Sequence, residues 1–334
     1  MISLKKLLGH TTTGMQLLAL LVFAHSAVAQ QPTAPRDTSF TTYSAYTKAK
    51  KQNPAISIAR PTVPRSVQKQ MNVAYCTQGT HALMLDVFYP KPSRRKERPA
   101  VLLVHGGGWR SGDRSQHVPM AQQLAAKGYV AVTAEYRLST EAPYPAAVQD
   151  LRAAIRWMRA NARTYGIDTA RIAVWGFSAG GQLASLIGTT NADPLYETGN
   201  CYPTHSSSVQ AIVDVDGILA FIHPESGEGD DRKNISAATH WFGSPKTEHP
   251  ELWQQASALN HVSPKTPPIL FINSSVDRMH AGRDDMRQQL SKLGIYTEVH
   301  SFPDAPHPFP LFNPWFEPTL NYTVDFLDKV LKKR

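Results

Sequence analysis

Long apolar runs are nearly missing from this 334-residue chain. The one extended stretch, residues 15–24, falls well short of the ~20 residues a spanning helix needs. Lys5 and Lys6 precede it and Ala27-Val28-Ala29 follow it. That order reads as an export signal cut after Ala29, so residues 1–29 are expected to be removed and no stable membrane anchor to remain. Cysteine is scarce too, with Cys76 and Cys201 alone. Two thiols cannot build a disulfide scaffold or a paired-cysteine zinc site, and no zinc-ligand spacing occurs. One bond between them would suit an exported protein, but spacing alone leaves that pairing open. There are no internal repeats, and no Gly-Lys-Ser or Gly-Lys-Thr that a phosphate loop would require.

The formal charge of +9 suggests a polyanion partner until it is located. Two of the charges are Lys5 and Lys6. Residues 30–70 hold seven basic side chains, among them Lys48, Lys50 and Lys51, against Asp37 alone. The remainder is close to neutral, which argues against nucleic-acid binding. Rich in Pro, Thr, Ser and Gln, residues 30–70 read as a flexible basic linker, with the folded domain over 71–334.

From there strand and helix alternate. Residues 72–76 and 83–89 suggest a leading hairpin. Short apolar runs at 100–104, 129–134, 172–175, 209–215, 269–273 and 296–302 read as strands, most of them buried on both faces. Helices are expected over 116–127, 146–162, 180–188, 286–293 and 319–331. In the second of these Val148, Leu151, Ile155 and Met158 recur at three- and four-residue spacing. Such alternation implies an α/β fold with a mostly parallel central sheet flanked by helices. Residues 217–262 break the rhythm, and read either as a surface connection or as a small cap over a site.

The chemistry gathers on three loops. Gly176-Phe177-Ser178-Ala179-Gly180 follows the strand at 172–175 and opens a helix. Glycines at both flanks permit a sharp turn that lifts a serine hydroxyl off the sheet edge. A hydroxyl needs a base and donors for the developing oxyanion. His105-Gly106-Gly107-Gly108-Trp109, after the strand at 100–104, offers Gly107 and Gly108 as N–H donors, with Ala179 as the second arm. Among thirteen histidines, His307 is the last in the chain and lies beyond the final strand, where α/β sheets place their ligands. For the orienting acid, Asp277 after the strand at 269–273 is expected, with Asp304 and Asp284 as rivals.

These motifs, with Tyr136-Arg137-Leu138, Pro143-Tyr144-Pro145 and Asp150, resemble the α/β-hydrolase esterases of the hormone-sensitive-lipase-like kind. Within them the chain is similar to secreted bacterial carbohydrate esterases of the acetyl-xylan and feruloyl type, including pectin-linked relatives, over roughly 72–332. The resemblance implies a triad of Ser178, Asp277 and His307, an acyl-enzyme route without cofactor or metal, and an acylated carbohydrate or other small ester as substrate. The acid loop departs from many members: it reads Ser274-Ser275-Val276-Asp277 where they have Gly-x-x-Asp. The segment from Tyr136 to Asp150 is expected to anchor the glycine turn. Trp109 and Trp315 are candidate stacking platforms for a sugar ring. A lipase-like or aryl esterase, a feruloyl esterase, a serine peptidase and a non-catalytic binding module on the same fold are the competing readings. The oligomeric state is left open.

Overall fold

Alternating apolar runs and amphipathic segments resolve into one large sheet. The structure, a computed structural model, describes residues 37–91, 97–191, 193–197, 199 and 201–332. The expected export signal lies outside the described residues. In chain order the elements are α1 (Thr42–Lys50), β1 (Ser57–Ile58), β2 (Val67–Gln78), β3 (His81–Pro90), β4 (Arg98–Val104), α2 (Val118–Ala126) and β5 (Val130–Ala134). Next come α3 (Ala146–Ala160), α4 (Ala162–Tyr165), β6 (Ile167–Phe177), α5 (Ala179–Thr189) and β7 (Ala211–Val215). The chain ends with α6 (Ala237–Phe242), α7 (Pro250–Gln255), β8 (Ile269–Asn273), α8 (Arg283–Lys292), β9 (Thr297–Ser301), β10 (Phe312–Asn313) and α9 (Phe316–Leu331).

Eight strands form the sheet in the order β2-β3-β5-β4-β6-β7-β8-β9. The β2–β3 and β3–β5 pairs are antiparallel, and every pair from β5 through β4 to β9 is parallel. The central strands β4, β5, β7 and β8 are buried almost throughout. Their continuous apolar runs therefore serve two cores, one on each face of the sheet. Because β4, β6, β7 and β8 run in the same direction, the loops leaving them open on one edge.

Several boundaries differ from the sequence expectation, two of them on elements beside the strand-end loops. The helix expected over 116–127 divides into a 3₁₀ turn at Arg114–His117 and α2, because Pro119 sits in the first turn of α2 and suits a helix start. The strand expected at 172–175 extends back to Ile167 as β6.

Residues 30–70 require a larger correction. From Asp37 onward this segment is not an unstructured linker. Thr41 and Ser44 close a reciprocal capping box at the start of α1, with Thr41 Oγ1 3.0 Å from the Ser44 nitrogen and Ser44 Oγ 2.9 Å from the Thr41 nitrogen. Ala45 and Ala49 are buried in the core beside α9, and Tyr46 meets Phe312 edge-on at 6.0 Å. β1 pairs with β10. Asp37 bridges to Ser111 and forms an ion pair with Arg110, tying the segment to the end of the glycine turn. Alanines carry the buried face of α1, so the hydrophobic periodicity of that helix is faint.

A disulfide joins Cys76 on β2 to Cys201, with Cα atoms 5.7 Å apart. Between β7 and β8, residues 217–262 hold two short helices and an aromatic cluster of Phe221, Trp241, Phe242 and Trp253. No helix among the described residues is long and apolar enough to cross a membrane.

Candidate active site

Ser178 occupies the turn between β6 and α5 with φ 58° and ψ −122°. A non-glycine residue pays a strain cost there, so the surroundings must hold it in place. Its N–H donates to Val215 O at 2.8 Å and its carbonyl accepts from Gln182 N at 3.0 Å. The flanking glycines are required by space. A Cβ on Gly176 would lie 1.9 Å from Gly180 O, and one on Gly180 would lie 2.2 Å from Val104 O.

The second loop presses on the first. A Cβ on Gly106 would come within 2.9 Å of Phe177 O and 3.0 Å of Ser178 Cβ. Gln116 clasps the Gly106 peptide from both sides, accepting from its N–H at 3.2 Å and donating to its carbonyl at 3.1 Å. Tyr136 stacks on His105 and donates its hydroxyl to the His105 carbonyl at 3.0 Å. Arg137 and the buried Asp150 form a bidentate pair, its closest contact 2.7 Å, that fixes this buttress to α3. The segment from Tyr136 to Asp150 thus anchors the glycine turn. Gly108 and Ala179 both line a cavity of about 200 Å³ that also contains Ser178 and His307. Ala179 is the first residue of α5, where helix N–H groups lack internal partners. Gly107 stands next to the lining; its carbonyl accepts from Arg110 N and Ser111 N, which closes the turn.

His307 Nε2 lies 2.8 Å from Ser178 Oγ, and His307 Nδ1 lies 2.9 Å from Asp216 Oδ2. An ionised carboxylate only accepts, so Nδ1 carries the proton and Nε2 is left to accept the serine hydroxyl. The carboxylate behind His307 is therefore Asp216, and Asp277 is corrected. Asp277 begins a 3₁₀ turn one loop away with its side chain 97% exposed, its nearest partner His280 at 3.9 Å. Asp304 is exposed, and Asp284 pairs with Arg283 at the solvent surface. Asp216 is fully buried at the end of β7, at φ 52°. Ile272 O holds its N–H at 3.0 Å and Ser274 N donates to its Oδ1 at 2.8 Å, so both carboxylate oxygens are engaged. The sequence did carry a signal for it: Val215-Asp216-Gly217 sits directly at the carboxyl end of a strand, as Ser178 does.

Both tryptophan expectations are corrected as well. Trp109 borders the cavity, but its ring is buried flat against Trp241 at 4.9 Å. Its Nε1 donates to Gln182 Oε1 at 2.9 Å, and Gln182 in turn donates to Ala256 O. Trp109 therefore clamps the 217–262 segment onto α5 and offers no open face to a sugar. Trp315 is buried in the core beside α9. The cavity wall instead includes Ile218, Glu228 and Ala237 from 217–262, and Arg278 and Met279 from the loop after β8. Burial raises the Glu228 carboxyl above the ordinary range, an effect opposed by the Arg278 guanidinium. Among the described residues no cluster of His, Cys, Asp and Glu resembles a metal-ligand set.

A serine on a strained strand-to-helix turn, backed by histidine and aspartate on neighbouring strand-end loops of a mostly parallel sheet, defines the α/β-hydrolase class. Residues 85–283 match the BD-FAE family, more than half of the chain, and the protein belongs to that family. Among curated relatives it is 34% identical over 200 residues to Esterase LipC of Mycobacterium tuberculosis, covering 59% of this chain and 48% of that protein. It is 29% identical over 226 residues to the probable carboxylic ester hydrolase LipM of the same organism, covering 64% and 50%. The chain thus spans about half the length of these relatives. Among solved structures it resembles a truncated carbohydrate esterase from gut microbiota, with TM-score 0.67 and 23% identity over 82% of this chain and 99% of the other. Butyrate-bound esterase Est2 of Thermogutta terrifontis gives TM-score 0.64 and 24% identity over 80% and 95%. At such identity these two likenesses show the fold alone.

Proposed function

We propose that this protein is an exported serine carboxylic-ester hydrolase that removes acetyl or other small acyl groups from carbohydrate. The observation that carries the reading is the continuous hydrogen-bonded line from Ser178 Oγ through His307 to Asp216, opening into a cavity that Gly108 and Ala179 also line. Ser178 attacks the ester carbonyl as His307 Nε2 takes its proton. N–H groups of Gly108 and Ala179, with Gly107 beside them, receive the oxyanion. The protonated His307, held by Asp216, then delivers that proton to the departing alkoxide. A water molecule, deprotonated by the same nitrogen, cleaves the acyl-serine and restores the enzyme. No cofactor takes part in any of these steps.

The size of the cavity, about 200 Å³, favours a short acyl group over a cinnamoyl-type one. Esterase names among the curated relatives support ester hydrolysis, and the likeness of the motif loops at 105–109 and 176–181 to carbohydrate esterases supports the substrate class. Export is supported by the signal-like N-terminus and by the Cys76–Cys201 bond, which persists in oxidising compartments. A second reading, a short-chain carboxylesterase acting on non-carbohydrate esters, is favoured by the names of those curated relatives. Acetate release from acetylated xylan and acetylated pectin, set beside p-nitrophenyl acetate, butyrate and octanoate, separates the two. Release from either polysaccharide, with acetyl preferred over octanoyl, is expected. Hydrolysis of the aryl esters with no polysaccharide release would favour the second reading.

A further inference from the structure

With Asp216 behind the histidine, Asp277 in the loop after β8 has no part in orienting His307. What that loop presents to the cavity is Arg278 and Met279. The Arg278 side chain is 54% exposed, and among the described residues its one hydrogen bond is a long contact of 3.4 Å from Nη1 to Glu228 Oε1. A guanidinium has five N–H donors, so most of its capacity is left for a ligand. Glu228 is the converse case, an acceptor with its side chain only 13% exposed, inserted from the 217–262 segment into a wall otherwise formed by Trp109, Ile218 and Ala237. Lys246 Nζ holds the Glu228 carbonyl at 2.9 Å, which fixes the backbone that carries the carboxylate. A buried carboxylate in an apolar wall is costly unless it is partnered. The Glu228 carboxylate is steadied by a backbone hydrogen bond from Ala238 and by the charges of Arg278 and Lys246, and the 3.4 Å contact to Arg278 leaves acceptor capacity over for a ligand.

We propose that Glu228 and Arg278 form a subsite for the alcohol part of the ester, accepting from one hydroxyl and donating to its neighbour on a polyhydroxylated ring. Carboxylate and guanidinium side by side match the acceptor and donor of a vicinal diol. The short acyl group then takes the apolar part of the cavity, between Ile218 and Ala237. This assignment rests on the carbohydrate reading above and adds the residues that recognise the sugar.

The test compares kcat/KM for a monoacetylated methyl xylopyranoside with that for cyclohexyl acetate, a ring of equal size without hydroxyls. Enzyme concentration is set by fluorophosphonate titration, so a poorly folded variant does not distort the ratio. Arg278→Met, which keeps the apolar stem, and Glu228→Gln are each expected to lower the ratio of sugar ester to cyclohexyl ester about tenfold, with Arg278→Lys recovering part of it. A ratio within twofold of wild type in both Arg278→Met and Glu228→Gln would overturn the subsite while leaving the carbohydrate reading intact. A wild-type enzyme that cleaves cyclohexyl acetate but no sugar acetate would overturn the carbohydrate reading and the subsite with it.

Discussion

Replacing Asp216 by asparagine separates the two carboxylates that compete for the role behind His307. The side chain has two tasks: Oδ2 accepts from His307 Nδ1 at 2.9 Å, and Oδ1 accepts from Ser274 N at 2.8 Å. An amide has one acceptor oxygen. If that oxygen faces His307, the amide NH₂ is turned toward the Ser274 N–H and two donors collide at a buried position. If it faces Ser274, the NH₂ donates to His307 Nδ1, which forces the ring proton onto Nε2. That nitrogen, 2.8 Å from Ser178 Oγ, can then no longer take the serine proton. Losing the correct tautomer in an otherwise intact triad costs about 10⁴ in kcat, or about 5.5 kcal/mol of barrier. Asp277→Asn should change kcat by less than about twofold, since the Asp277 side chain is 97% exposed and makes no contact with His307. The assay is turnover of p-nitrophenyl acetate, with melting curves to confirm that both variants fold. An Asp216→Asn enzyme within tenfold of wild type, beside a crippled Asp277→Asn enzyme, would refute the assignment of the acid.

Three further outcomes follow from the packing and the charges. Gly180→Ala places a Cβ 2.2 Å from Val104 O, a backbone atom that cannot swing aside, so little folded protein should be recovered; recovery at wild-type yield and melting temperature would contradict the contact. Cys76→Ser removes a link across a sequence separation of 125, worth at most about 5 kcal/mol of unfolded-chain entropy. It should lower the melting temperature by about 5–10 °C, and a reducing agent should do the same to the wild type. Burial depresses the His117 pKa to about 3, so the unfolded chain gains a proton near pH 6.5 that the folded chain does not take until far lower pH. Stability should therefore fall as pH drops from about 6.5 toward 3, by up to about 1.4 kcal/mol per pH unit from this group. Urea unfolding of His117→Gln should show a shallower slope over that window, and identical slopes would contradict it.

The strands β4, β7 and β8 could be read from the sequence because burial on both faces demands unbroken apolar runs, and 100–104, 209–215 and 269–273 supply them. Ser178 and the turn at 105–109 could be read because a strained elbow and a tight loop admit few residues other than glycine at their flanks. The acid could not. β7 and β8 are neighbours in the sheet and both are followed by an aspartate, Asp216 at once and Asp277 four residues on. Which of the two reaches His307 depends on how the chain turns after each strand, a tertiary fact. Trp109 and Trp315 were equivocal for a related reason, since an aromatic ring packs in a core as readily as it meets a ligand. The helix Thr42–Lys50 is hard to read because its buried face is built from Ala45 and Ala49 within a basic, polar stretch.

The central claim is covalent catalysis by Ser178. Mass spectrometry of the protein quenched during turnover of p-nitrophenyl acetate tests it most directly. The account predicts a single acetyl adduct on the peptide containing Ser178, absent after brief chase in substrate-free buffer and absent in Ser178→Ala. Undiminished hydrolysis by Ser178→Ala, or an adduct formed only on another residue, would contradict it.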